Sequence, residues 1–412
     1  MLKLYFQFLF IAFIISKGYC QSIEVCNTCE VKTLTKAISI AKPHDKIIIQ
    51  KGTYKEHNIL IDKPLQIIGN ENPVIDGEKK GYVLIVKSDS VYVSGLIVKN
   101  PGQSYTKDYA AIYISKSQYF TFENNILENV FFGFLIEKSH YGIIKNNHVS
   151  SKAIREASSG NGIHLWHCSN MTIDKNEVNE LRDGIYLEFV KKSKIIHNKS
   201  HHNLRYGLHF MFSNENEYHY NTFTNNGAGV AVMFSKFIKM SHNTFRENWG
   251  SASYGLLLKE IYDAEIENNT FQENTIGINV EGSTRINYFK NNFISNGWAI
   301  KIAGACYANK FHQNNFLNNS FDISYNSKLN DNEFDTNYWS SYTGYDLDKN
   351  GFGDVPYRPV KLFSYIVNRT PETIVLLRSL FVDIINFSEK VSPVFTPDDL
   401  LDKNPLMQRI DD

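Results

Sequence analysis

The sequence predicts an all-β chain wound as a right-handed parallel β-helix, and three observations predict it. An asparagine returns every 22 to 29 residues, a short apolar strand opened by a small residue follows each one, and no helical stripe runs between them. The asparagines fall at Asn125, Asn147, Asn176, Asn198, Asn221, Asn243, Asn269, Asn292 and Asn315. The strands read Gly133-Phe-Leu-Ile, Gly162-Ile-His-Leu, Gly184-Ile-Tyr-Leu, Gly207-Leu-His-Phe, Gly229-Val-Ala-Val, Gly255-Leu-Leu-Leu and Gly277-Ile-Asn-Val, with Ala111-Ile-Tyr-Ile before and Ala299-Ile-Lys-Ile after. That period is too short for helix-pair repeats or propeller blades and suits one coil of a solenoid. Stacked coils, roughly 4.8 Å apart, share a core that no single coil could bury.

Composition fits that class and trims the functions open to it. Of 412 residues, 42% are apolar and 14% aromatic, enough for a long core and weighted toward strand. Basic and acidic residues number 43 each, so no basic field invites nucleic acid.

Taken in order, residues 1–20 read as an export signal: Lys3, an apolar run from Leu4 to Ile15, then a polar end closed by Cys20. The run is short for a bilayer span, and a mature start at Gln21 is expected. A lipid-bearing Cys20 is the alternative, which Tyr19 and Lys17 disfavour. Cys26 and Cys29 are expected to close as a local disulfide in an oxidising compartment, with a metal or redox role as the alternative. Thr33 to Ala41 carries Leu34, Ala37, Ile38 and Ala41 on one face and reads as a helix capping the first coil.

The β-helix is expected over residues 21–340, with Ile163 and Leu165, Ile185 and Leu187, Leu208 and Phe210, and Val230 and Val232 turned inward. Asparagine side chains stack as a ladder between coils. The two longest steps are expected to leave the cylinder as loops near Ser151–Ser159 and Trp249–Ser253. Residues 341–361 form an acidic turn, and 362–412 an apolar helix with a tail.

Residues within the repeat carry a more specific signal. The run Arg182-Asp-Gly-Ile-Tyr-Leu-Glu-Phe, then Arg205-Tyr-Gly-Leu-His-Phe-Met-Phe-Ser-Asn, then Gly229-Val-Ala-Val-Met-Phe-Ser, resembles the NosD family. So do Asn337-Tyr-Trp-Ser, Gly344-Tyr-Asp-Leu-Asp and Asp354-Val-Pro-Tyr-Arg-Pro; the resemblance covers about residues 25–380. It implies a periplasmic, non-enzymatic accessory protein held at the inner membrane by its partner, the membrane subunit of an ABC transporter. It further implies that copper from a lipoprotein chaperone reaches apo nitrous-oxide reductase with this protein's help.

Alternation places His164, Tyr186, His209 and Ala231 outward two residues past each glycine, and Trp166, Glu188, Met211 and Met233 outward at four. His209, Met211 and Met233 then share a wall, and imidazole with thioether is a donor set suited to transient Cu(I). The competing reading makes His164, Trp166, Tyr186 and Glu188, with the same wall, a docking patch for a protein. His201 and His202, with His219 and His242 on the same edge, are a further copper candidate. Cys168, after the His164 strand, is expected to be a small buried thiol, with a soft metal ligand as the alternative.

Asp346, Asp348, Asn350 and Asp354 are spaced like the first nine positions of a calcium loop, suggesting Ca²⁺ or Mg²⁺. Tyr357 stands where the twelfth-position glutamate belongs, and a tight Asx turn is the alternative. Pro371 to Phe387 reads as one helix too apolar to face water. Leu376, Leu377, Arg378 and Phe381 would dock it to the membrane subunit, while capping the last coil is the alternative. From Val391 onward an extended tail is expected to order on binding. A carbohydrate lyase, epimerase or hydrolase would need paired acids, or a catalytic Lys or Arg with a bound metal. The outward ladder offers Glu188 alone, with Lys259 and Glu281 further along and no close acid pair on adjacent coils, while a passive adhesin would leave the Met/His wall unexplained.

Overall fold

The computed structural model describes residues 22–250, 253–326, 331–391 and 400–411; the expected export signal lies outside them. Three all-parallel sheets of 14, 12 and 13 strands wrap one continuous core. Each coil gives one short strand to each sheet, as Thr172–Asp174, Glu177–Asn179 and Asp183–Glu188 do in turn. Every strand pairs with its counterpart a coil away, so residues about 22 apart become Cα partners: Ile163, Ile185, Leu208 and Val230 line up inside.

The core is a set of aromatic and aliphatic columns. Phe223, Phe245, Phe271, Phe293, Phe316 and Trp339 stack ring on ring, with neighbouring centroids 4.1–5.5 Å apart. Each such ring taken out of water contributes about 1.5–3 kcal/mol. The glycine opening each long strand is a packing requirement: a Cβ built on Gly184 would lie 2.0 Å from Ser200 Oγ and 2.6 Å from Gly207 O.

The asparagine ladder exists, one residue out of the expected register at its far end. Asn125 Nδ2 donates to Asn147 Oδ1 at 3.0 Å, and the pattern repeats through Asn176, Asn198, Asn221, Asn243 and Asn269. It then continues through Asn291, Asn314 and Asn337, not Asn292 and Asn315. The bend sets the register. Each ladder asparagine follows a residue in the left-handed region, and these are Lys290, Gln313 and Thr336 at the last three coils. Asn292 and Asn315 instead open the next strands and bond to each other. A second ladder at the next bend runs through Asn203, Asn226, Asn248, Asn274, Asn296 and Asn319.

Both ends are closed. Helix Leu34–Ile40, capped by Thr33 accepting from Lys36 N, buries Leu34, Ala37 and Ile38 over the first coil, beside the Cys26–Cys29 disulfide. At the other end the single helix expected from Pro371 is broken. A helix Leu362–Arg369 comes first, a 3-10 turn Pro371–Leu376 follows, and a second helix spans Leu380–Val391. Phe363, Val367 and Val382 pack onto Trp298 and Phe321, so this hairpin lies on the outer face of the 12-stranded sheet. Residues 400–411, expected to await a partner, instead return to the last coil. Asp402 is fully buried and accepts from Asn337 Nδ2 at 3.1 Å and Trp339 Nε1 at 2.9 Å, ending the ladder. No helix among the described residues is long and apolar enough to cross a membrane.

Candidate functional site

The outer wall of the 12-stranded sheet carries the candidate site. Leu135, His164, Tyr186, His209 and Ala231 are successive Cα partners in one column, and Glu137, Trp166, Glu188, Met211, Met233 and Lys259 in the next. The structure therefore brings His209 and Met211 onto one strand and seats Met233 beside Met211. Both methionines are half-buried, and the Tyr186 hydroxyl lies 3.9 Å from Met211 Sδ.

The histidines are deeper than an exposed ladder would put them. His209 is 6% exposed, and neither of its ring nitrogens has a hydrogen-bond partner. Its Nδ1 sits 3.7 Å from Asp183 Oδ2, beyond hydrogen-bond reach. Both His164 ring nitrogens are likewise buried and without a hydrogen bond, although the residue as a whole is half-buried. Burial, reinforced by the Arg182 charge, pulls the His164 imidazole down to about 4 and keeps it neutral. Beneath this pair Arg205 grips Asp183, with Nε donating to Oδ1 at 2.8 Å and Nη2 to Oδ2. Burial pushes the Asp183 carboxyl up, but contacts with His209 and Arg205 outweigh it and hold the carboxyl below its ordinary range.

A feature missed in the sequence borders this wall. His167, Phe189, Phe212 and Phe234, each one residue past the outer column, adopt left-handed backbone at φ 50–54° and stack with centroids 4.6–5.2 Å apart. Bulky residues rarely accept that conformation. An exposed aromatic ridge thus runs beside Trp166, Met211 and Met233, and its repeated spacing was the available signal. Lys138 sits over the Trp166 ring, and Glu188 and Tyr186 are half-buried.

The same column then changes character. Glu260, Gly282 and Gly304 take the ridge positions, and with the side chains gone a groove of about 490 Å³ opens. Lys259, Glu260, Tyr262, Glu281 and Tyr307 line it. Glu281 is thus joined on the adjacent coil by Glu260, an acid the sequence did not reveal.

The remaining candidates separate. His201 and His202 meet through their Nδ1 atoms at 2.8 Å, but His219 and His242 do not join them. The strand Lys199–His201 belongs to the 13-stranded sheet and Glu217–His219 to the 14-stranded one, on different faces. The residues actually beside His201 are Glu177, 3.1 Å from its Nε2, and then His148, 3.6 Å from Glu177. A hydrogen bond from Lys199 above all holds Glu177 down to about 2. Asp346, Asp348, Asn350 and Asp354 do gather in one loop, where their oxygens accept backbone N–H groups of residues 347–352 as Asx turns. Among the described residues no group of three or more His, Cys, Asp or Glu is arranged to hold a metal; thioethers fall outside that set. Cys168 is buried, its thiol pushed up to about 12 by burial.

On the C-terminal hairpin Leu376, Arg378 and Phe381 face solvent, whereas Leu377 turns inward against the Phe363, Val367 and Val382 cluster. Leu380, Ile384 and Phe387 extend the exposed face at 74, 57 and 69% exposure.

Comparison with known proteins gives a family match and a fold match. A family described as "Periplasmic copper-binding protein (NosD)" matches residues 145–344, which hold the wall from His164 onward. Two curated relatives are each called "Probable ABC transporter binding protein NosD". The one from Pseudomonas aeruginosa is 26% identical, covering 85% of this chain and 86% of the relative. The one from Stutzerimonas stutzeri is 25% identical, covering 84% of each. Among solved structures, a double mutant of the periplasmic alginate epimerase AlgG superposes with TM-score 0.53 at 12% identity, covering 76% of this chain and 82% of that one. PfbA, a surface adhesin of Streptococcus pneumoniae, gives 0.51 at 13%, covering 71% and 82%. At such identities these likenesses speak for the fold alone.

Proposed function

We propose that the chain belongs to the NosD family and is a periplasmic copper-binding accessory protein that works with an ABC transporter to bring copper to nitrous-oxide reductase. One observation carries the reading. His209, with both ring nitrogens buried and without a hydrogen bond and only the Asp183 carboxylate near, 3.7 Å from Nδ1, stands on one strand with Met211 and beside Met233. Cu(I) takes few, soft ligands, and two thioethers with one imidazole meet that need. Buried ring nitrogens that make no hydrogen bond cost free energy unless something binds them. The copper chaperone and the apo-reductase would approach over the aromatic ridge, and the membrane subunit would take the exposed helix face of Phe381, Ile384 and Phe387. Competition of the purified protein with a Cu(I) chelator tests the reading. Met211→Leu with Met233→Leu should weaken binding at least tenfold, and unchanged affinity rejects these ligands.

A second reading rests on the groove. Two carboxylates, a lysine and two tyrosines around a glycine floor could hold a saccharide, as in a carbohydrate-active β-helix. Release of unsaturated or epimerised sugar from alginate by the purified protein would favour it over copper delivery.

A further inference from the structure

We propose that a pocket at one edge of the β-helix, among the loops that carry Lys79, Gln103 and Lys152, binds one sugar-sized molecule bearing a carboxylate or a phosphate. The proposal goes beyond the copper reading and uses none of its residues. After the strand His148–Ser150 the chain leaves the cylinder, and its next strand is Ile163–Trp166. Gln103 Nε2 donates to Ser158 O at 2.8 Å, which ties this excursion to the loop that follows the strand Ile97–Lys99. A polar pocket of about 220 Å³ is lined by both loops. That is below the roughly 300–1,000 Å³ of sites for drug-sized ligands, so it suits one small molecule.

The charges of the lining set the sign of the ligand. Lys79 and Lys152 line the pocket, and among the described residues no acid does. The acids near Lys79 in sequence are matched elsewhere: Glu78 meets Lys55 and Lys80 at 3.9 and 3.4 Å, and Asp76 meets Lys99 at 3.9 Å. Glu156, the acid on the excursion, bears on the Arg205 guanidinium instead. Two ammonium groups without a carboxylate at a polar pocket draw an anion.

Hydrogen bonding narrows the class further. The donors of the neutral side chains are spent inside the protein. Asn129 Nδ2 donates to Asn100 Oδ1 at 2.6 Å, and Asn100 Nδ2 to Asp76 Oδ1 at 2.9 Å. Ser151 Oγ donates to Val130 O at 2.7 Å, and Ser159 Oγ to Arg155 O at 2.8 Å. The lining is left with lysine N–H donors and with acceptor oxygens, among them Asn129 Oδ1 and Gln103 Oε1. A bare inorganic anion would meet the lysines and leave those oxygens idle. An anion that also carries hydroxyls meets both, since each hydroxyl donates to an oxygen. Phe131, Pro101 and Leu181 add the apolar wall on which a sugar ring packs.

The test titrates the full purified chain by calorimetry with glucuronate and with glucose 6-phosphate, beside glucose and sulfate. At least one acidic sugar should bind saturably, and the preferred one names the charged group. Glucose, which lacks the charge, and sulfate, which lacks the hydroxyls, should each bind at least tenfold more weakly. Lys79→Gln with Lys152→Gln should weaken the acidic sugar about tenfold or more; both lysines are exposed, and an unchanged melt shows the fold intact. Each single variant serves if the pair melts early. No binding of either acidic sugar overturns the proposal, as does unchanged affinity in the lysine variants or sulfate bound as tightly as the sugars. None of these results bears on copper binding, which stands or falls separately.

Discussion

Arg205 closes a two-point contact on Asp183, Nε to Oδ1 and Nη2 to Oδ2, directly beneath His209. Asp183 is fully buried, so Arg205→Leu leaves an uncompensated carboxylate and should cost about 3–5 kcal/mol, read as a lower urea midpoint. Because the folded carboxyl lies below its ordinary value, its contribution is present above about pH 4 and is lost as pH falls through the folded value. Asp183→Asn should therefore flatten the acid limb of the stability curve.

The ladder register makes a paired test. Asn291 donates and accepts between coils with its side chain fully buried, so Asn291→Ala should cost about 2–4 kcal/mol. Asn292→Ala, one residue on and only half-buried, should cost under about 1 kcal/mol. Equal losses in chemical denaturation would mean that the bend sits elsewhere.

That pair also marks how far the sequence could be read. The period, the inward alternation and the shared wall of His209, Met211 and Met233 followed from spacing alone. At Asn291-Asn292 and Asn314-Asn315 two identical neighbours hid which one follows the left-handed residue. The sealed ring nitrogens of His164 and His209 were not legible because alternation tells which way a side chain points, not what covers it. Phe189, Phe212 and Phe234 were passed over because their turn positions usually go to glycine or asparagine. The broken C-terminal hairpin depended on Trp298 and Phe321, contacts no local pattern encodes.

Asp322 lies under the C-terminal cap, and burial pushes its carboxyl up to about 6 despite Ser341, Tyr357 and Asn319. The neutral acid is thus favoured in the folded state: its contribution is full below about pH 4 and is lost as pH rises through 6. Asp322→Asn should remove that loss and raise stability at pH 7 by about 2–3 kcal/mol, measured as the difference from wild type across pH 4–7.

The exposed helix face predicts a loss of partner without a loss of fold. Phe381→Glu with Ile384→Glu should leave the melting temperature within a few degrees of wild type and abolish co-purification of the membrane transporter. Transporter recovered at wild-type yield would place the contact on another surface.

X-ray absorption at the copper edge of the Cu(I)-loaded protein tests the central claim most directly. The account predicts a low-coordinate shell of sulfur and imidazole nitrogen, with the sulfur scattering gone in Met211→Leu/Met233→Leu. A shell of nitrogen and oxygen alone in the wild type, or sulfur persisting in that variant, would contradict it.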